Sequence, residues 1–229
     1  MIRLSPTLLE SYRLYLTEEW FDTDRLVDQI TSDFTPTPAI KLGLAYHRVI
    51  EQFTDTHKMY FENGNPSMEP MVVEQDGFKF YYEQCVEPVS DFLEAECLHE
   101  LYGRKSLNTR HGEVSIATKA DAVLGNIGGE WKTTEKAIQI QKYMDSVQWK
   151  ACCWVLDLPI MDYRIVQLVK DKATDIYGVK NSVAMQMVWS EKYMDTLLEL
   201  VDGLILFHQA KGLEKYMLPY ERSKHKNKP

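Results

Sequence analysis

The sequence predicts a mixed α/β domain, a sheet of about five strands flanked by helices and preceded by a helical N-terminal part. Three observations carry that expectation. Two early segments place apolar residues at helical spacing behind Ser-Pro and Thr-Pro starts. The middle of the chain changes to short alternating segments divided by glycine and asparagine. A last segment over 190–212 returns to the helical period. With 229 residues, 45% hydrophobic and 26% charged, the chain fits one domain. It divides into N-terminal helices over 1–65, a core over about 70–190, a C-terminal helix over 190–212 and a basic tail over 213–229.

Ser5 and Pro6 supply an N-cap and a first helical residue, and Leu8, Leu9, Tyr12 and Tyr15 or Leu16 make the apolar stripe of a helix over 6–16. A second short helix is expected around Asp24–Thr31. Thr37 and Pro38 repeat the start signal, and Leu42, Ala45, Tyr46, Val49, Ile50 and Phe53 form the buried face of a helix reaching about residue 60, with His47 at its edge. Asn63-Gly64-Asn65-Pro66 ends that segment with turn chemistry. Met71–Val73 and Phe78–Tyr82 read equally as short strands or as the approach to a helix.

Strands are expected over Cys97–Tyr102 and Glu113–Ala117, leading into a third that ends at Glu130-Trp131-Lys132, with Thr133-Thr134 closing it. One helix should span about 140–156, with Tyr143 or Met144, Val147, Ala151, Trp154 and Val155 inward and Gln148 and Cys152 on another line. Asp162–Val169 and Met185–Trp189 read as further strands. Ser190 is expected to cap the last helix, which carries Met194, Leu197, Leu198, Val201, Leu204 and Ile205 inward and stops near Gly212. The tail holds Arg222, Lys224, Lys226 and Lys228.

The chemistry gathers on the stretch Lys119–Lys132. Alternation puts Lys119 and Asp121 on one side of a strand, while Glu130 and Lys132 share a side of the next and leave Trp131 on the other. With the turn at Gly125-Asn126, Asp121 falls opposite Glu130, and directly paired residues have Cβ atoms roughly 5 Å apart. Two facing carboxylates beside an ammonium are costly unless a cation lies between them. Hard divalent ions prefer carboxylate oxygen, so the pattern fits Mg²⁺ or Mn²⁺.

Composition narrows the classes. A net charge of −8 excludes a surface basic all over, although it leaves room for a local phosphate-binding cleft. Cys85, Cys97, Cys152 and Cys153 have no zinc-finger spacing and are expected to be reduced, buried thiols. The sequence holds no run of about 18 apolar residues, and its N-terminus lacks the apolar stretch of a signal peptide. A cytoplasmic protein without membrane contact is the expectation.

Four segments together resemble the PD-(D/E)XK nuclease superfamily, in particular its RecB-like exonuclease branch. Leu4-Ser5-Pro6-Thr7-Leu8-Leu9-Glu10-Ser11-Tyr12 is similar to that branch's first helix, and Gly43-Leu44-Ala45-Tyr46-His47 to its Gly-x-x-x-His helix. Lys119-Ala120-Asp121-Ala122-Val123 resembles its Asp strand, and Glu130-Trp131-Lys132-Thr133-Thr134 its (Asp/Glu)-x-Lys-Thr segment. The resemblance spans residues 4–156 and implies a restriction-endonuclease-like core.

It further implies a Mg²⁺- or Mn²⁺-dependent DNA exonuclease acting on linear DNA from an end, in recombination, repair or phage replication. Asp121 and Glu130 would hold one or two ions, with His47 and the backbone carbonyl of Trp131 as further ligands. Lys132 would orient or deprotonate a water, Gln148 would position the water or a phosphate oxygen, and Lys119 would contact phosphate. The branch's Gln-x-x-x-Tyr helix is matched by Gln148, but Cys152 stands where the tyrosine would be. No iron–sulfur cluster is expected, because no cysteine lies among the first 84 or the last 76 residues. Two rivals remain: a catalytically silent module that binds nucleic acid or a partner, and an endonuclease acting on RNA or branched structures. Each residue also has a plainer reading, with Asp121 and Glu130 as solvated charges paired with Lys119 and Lys132, His47 as a satisfied helix histidine, and Gln148 as a surface residue. Trp131, Trp149 and Trp154 read most simply as core, although an exposed one could stack on a base.

Overall fold

A computed structural model describes residues 2–31, 35–52, 71–94 and 97–217. The expected helix extension through Phe53 to about residue 60, the turn at 63–66 and the basic residues of the tail lie outside the described residues.

The described strands are eight: β1 (Ile2–Leu4), β2 (Val72–Gln75), β3 (Phe78–Tyr81), β4 (Leu98–Thr109), β5 (Gly112–Leu124), β6 (Ile127–Thr134), β7 (Ile160–Lys170) and β8 (Tyr177–Val188). The helices are α1 (Pro6–Thr17), α2 (Thr23–Thr31), α3 (Pro38–Glu51), α4 (Tyr82–Val86), α5 (Ser90–Glu94), α6 (Ile140–Asp145), α7 (Val147–Leu156) and α8 (Tyr193–Ala210). The mixed α/β class holds, with more strands than the expected five. The open choice over 71–82 resolves as an antiparallel pair, β2 with β3. β1 has only three residues, too few for a period to show.

The sheet runs β1-β5-β6-β7-β8-β3-β2, with β4 also paired to β5. β4 covers one edge of β5 from Gly112 to Val123. β1 and β6 must therefore share the other edge, β1 opposite Val114–Ile116 and β6 opposite Ala122–Leu124. Between them residues 117–121 of β5 have no ladder partner on that side, and β6 leaves β5 to run parallel with β7. The sheet is forked there.

Side chains explain how the fork is covered. Leu9 and Tyr12 of α1, Val147 and Ala151 of α7, and Leu197 and Leu204 of α8 bury against Leu4, Val114 and Ile116. Trp149, Cys152 and Cys153 of α7 pack with Ala120, Tyr163 and Met187. Leu42, Ala45, Tyr46 and Val49 of α3 pack instead with Trp131, Val166 and Leu168. α3 can approach β6 closely because Gly43 carries no side chain: a Cβ there would lie 2.8 Å from Thr133 Oγ1.

The expected caps hold at α1, where Ser5 accepts from the Leu8 N–H at 3.2 Å, and at α3, where Thr37 accepts from the Ile40 N–H at 3.3 Å. Three expectations need correction. The single helix over 140–156 is two, broken at Ser146 (φ −57°, ψ 137°). The Glu10 carboxylate from α1 accepts both the Ser146 hydroxyl (3.1 Å) and the Val147 N–H (2.8 Å), satisfying the new helix start from outside. Ser190 does not cap the last helix through its side chain; its carbonyl accepts the Tyr193 N–H, and α8 begins one turn later. Strands β4 and β8 run far beyond the expected Cys97–Tyr102 and Met185–Trp189, because ladder pairing carries their polar halves. Gly212 does end α8, at φ +66°, with the Leu213 N–H donating to His208 O at 2.8 Å.

Candidate active site

The fork opens into a cavity of about 1120 Å³. His47 of α3, Asp121 of β5, Glu130, Trp131 and Lys132 of β6, and Gln148 of α7 all line it, as does Lys119. Four elements thus bring every proposed site residue to one space.

The Gly125-Asn126 turn, with Gly125 at φ +62°, sets the register Ala122↔Gly129. Asp121 and Glu130 come next in that register, but the ladder stops short of them. The Asp121 side chain replaces the missing strand contact: Oδ2 accepts the Trp131 N–H at 2.8 Å. Its Oδ1 faces His47 Nδ1 at 3.6 Å, and His47 Nε2 lies 3.1 Å from the Trp131 carbonyl oxygen. The Trp131 backbone therefore touches Asp121 with its N–H and His47 with its C=O. Its indole is only 3% exposed and meets Phe92 edge to face at 5.2 Å. Glu130 and Lys132 are paired at 2.5 Å beside the buried Tyr163.

Two carboxylates of contrasting character result. Burial raises Glu130, and Asp121 adds to the effect, against the lowering by Lys132 and His47. Burial also opposes ionisation of Asp121, but the His47 hydrogen bond and charge, the Trp131 N–H and Lys132 outweigh it and hold Asp121 below the usual value. Lys132 is raised: burial would lower it, and Glu130 and Asp121 overcome that. His47 is raised in the same way, burial being outweighed by Asp121.

Lys119 does not pair with Asp121. It pairs with Glu100, which also hydrogen-bonds Glu51, and Glu100 sits at φ +53° in β4. Cys152 lines the cavity, hydrogen-bonded by Thr118 Oγ1 at 3.5 Å, and burial pushes its thiol up to about 12. The expectation of four buried thiols fails at Cys97, which is half-buried and 3.4 Å from His99 Nε2. Trp131 and Trp149 are core, whereas Trp154 is half-buried with the Lys105 ammonium over its ring.

The donor types suit a hard divalent ion: two part-buried carboxylates, an imidazole and a backbone carbonyl. The network is closed on itself, however, and among the described residues no group of three His, Cys, Asp or Glu side chains is gathered tightly enough to hold a metal as it stands. His47 would exchange its Trp131 contact for the ion. Sequence reasoning missed Tyr102, Arg104, Arg3 and Tyr163, which also line the cavity. The alternation of Tyr102 and Arg104 on β4 was the available signal.

Fold and cleft together define an α/β protein with a charged, forked-sheet cavity. No protein-family model matches the chain, and no curated protein matches it. Among solved structures, the chain is similar to SSO0001, with TM-score 0.51 and 13% identity over 90% of this chain and 76% of that one. That likeness shows the fold alone. A second structure, LHK-Exo in complex with dAMP, reaches TM-score 0.43 and 9% identity over 93% of this chain and 90% of that one, too distant to bear on fold or function. No helix among the described residues is long and apolar enough to cross a membrane.

Proposed function

We propose that this chain is a metal-dependent nuclease of the PD-(D/E)XK type, a DNA exonuclease of RecB-like character that hydrolyses phosphodiester bonds in recombination, repair or phage replication. The observation that supports it is the convergence of His47, Asp121, Glu130, the Trp131 backbone and Lys132 at the fork, with Gln148 facing them from α7. Asp121 and Glu130 would hold one or two Mg²⁺ or Mn²⁺ ions, with His47 and the Trp131 carbonyl beside them. When bound, such an ion lowers the pKa of water and neutralises charge on the phosphoryl group. Lys132, an ammonium held by Glu130, offers its protons to the anion that develops on the phosphate oxygens. Gln148, on the opposite wall, fixes a water or a phosphate oxygen, and the buried Tyr163 ring lies beside Lys132.

The test is degradation of linear DNA with Mg²⁺ or Mn²⁺. Glu130→Ala and Lys132→Ala should each abolish it, and an unchanged rate in both removes the assigned site. Closed circular DNA should resist, since cleavage there means endonuclease action. The closed His47–Trp131–Asp121 network favours one second reading, a silent nuclease-fold module. That module would show no Mn²⁺-induced rise in Tm dependent on Asp121.

A further inference from the structure

β4 and β5 carry a second set of side chains that the proposed chemistry leaves unused. Pairing puts Tyr102 opposite Lys119 and Arg104 opposite Ala117, and β1 brings Arg3 opposite Ser115. Cross-strand partners share a face, so these residues stand on the face that carries Asp121. All but Ser115 line the same cavity. From Asp121 to Ala117 is four residues of strand, about 13 Å at roughly 3.3 Å each.

The residues differ in role. Tyr102 is 69% exposed, an aromatic ring that no core claims, with Lys119 Nζ 5.9 Å from its centroid. Arg3 and Arg104 are exposed, and their side chains make no hydrogen bond or ion pair among the described residues. The first turns of α3 on the opposite wall are apolar: Ile40 and Leu44 are 41% and 51% exposed where they line the cavity, while Glu51, further along the same lining, hydrogen-bonds Glu100. Arg48, the α3 arginine on that lining, is paired with Asp76.

We propose that this track, Tyr102, Arg104 and Arg3 facing Ile40 and Leu44, binds single-stranded DNA in preference to duplex and leads it to the fork. Over this stretch the unpaired cationic side chains stand on the strand side and face the two apolar residues of α3. A single strand presents phosphates to the arginine wall and unstacked bases to Tyr102 and the apolar wall. A duplex presents phosphate on both flanks and buries its bases, so Ile40 and Leu44 would meet charge and Tyr102 would find no exposed base. The inference rests on the nuclease reading for its substrate class and adds the strand form.

Fluorescence anisotropy in EDTA, where nothing is cut, tests it with labelled oligo-dT and a blunt duplex of equal length. The single strand should bind at least about 10-fold tighter, and Tyr102→Ala should weaken it about 10-fold while Tyr102→Phe retains it. Arg3→Ala and Arg104→Ala should each reduce the slope of log affinity against log salt by about 0.7. Equal or tighter duplex binding, or indifference to Tyr102→Ala, overturns the proposal. A protein that cuts linear DNA with Mn²⁺ but holds both forms equally keeps the nuclease reading and loses this one. A protein that binds single strands through Tyr102 and cuts nothing keeps this one alone.

Discussion

Gly43→Ala probes how α3 delivers His47. The added Cβ would lie 2.8 Å from Thr133 Oγ1, well inside contact distance, so α3 or Thr133 must give way. Overpacking of this kind costs about 1–3 kcal/mol, while alanine gains about 1 kcal/mol over glycine in a helix interior. The net expectation is a loss of about 0–2 kcal/mol, which for this size lowers Tm by up to roughly 4–8 °C. The functional effect should exceed it, because His47 lies one turn along the same helix with its Nε2 only 3.1 Å from the Trp131 carbonyl. Thr133→Ala removes the clashing oxygen. In Gly43→Ala/Thr133→Ala the helix gain should survive without the collision, giving a coupling of about 1–3 kcal/mol in urea unfolding and recovery of Mn²⁺-dependent activity. Strict additivity of the two substitutions refutes the claim that this contact sets the position of α3.

Asp121→Asn keeps an acceptor for the Trp131 N–H and should leave urea stability nearly intact, whereas Asp121→Ala strands that donor at a cost of about 1–3 kcal/mol; both should lose any Mn²⁺-induced rise in Tm. Glu10→Ala removes the acceptor for Ser146 Oγ and Val147 N–H, and should cost about 1–2 kcal/mol in thermal unfolding while loosening the start of α7 that carries Gln148. His208 is fully buried, with Nδ1 2.7 Å from Leu204 O and Nε2 without a partner among the described residues, and burial holds its pKa below 6.5. Below 6.5 the unfolded chain takes up a proton that the folded one refuses, so stability should fall as pH drops from 6.5 toward the lowered folded value. His208→Leu should flatten that part of the Tm-against-pH curve, and an unchanged slope would sink the assignment.

Elements with a local signature were legible in the chain. Ser5-Pro6 and Thr37-Pro38 fixed two helix starts because cap chemistry is decided within four residues. Gly212 marked the end of α8 because φ +66° suits glycine. Where distant partners decide, local reading failed. The break at Ser146 depends on Glu10, 136 residues away, and the polar halves of β4 and β8 are strands only because β5 and β7 lie alongside. β1 was illegible for the same reason, since three residues become a strand only through pairing with β5.

The site divides along the same line. The Gly125-Asn126 turn gave the right register for Ala122 and Gly129, but Asp121 and Glu130 lie just past the end of the ladder, and a continuous ladder would hold both backbones too close to leave a cavity. The fork changes what the carboxylates are for. β5 is claimed by β1 at one end and β6 at the other, so its edge between them is free, and Asp121 spans the gap to Trp131 with its side chain. One oxygen of Asp121 is then committed to the fold and the other faces His47, while Glu130 is paired with Lys132. The asymmetry between a carboxylate held ionised and one raised by burial follows from that division. It arises from which strand edge lies empty, a property of the assembled sheet that the motif residues do not contain.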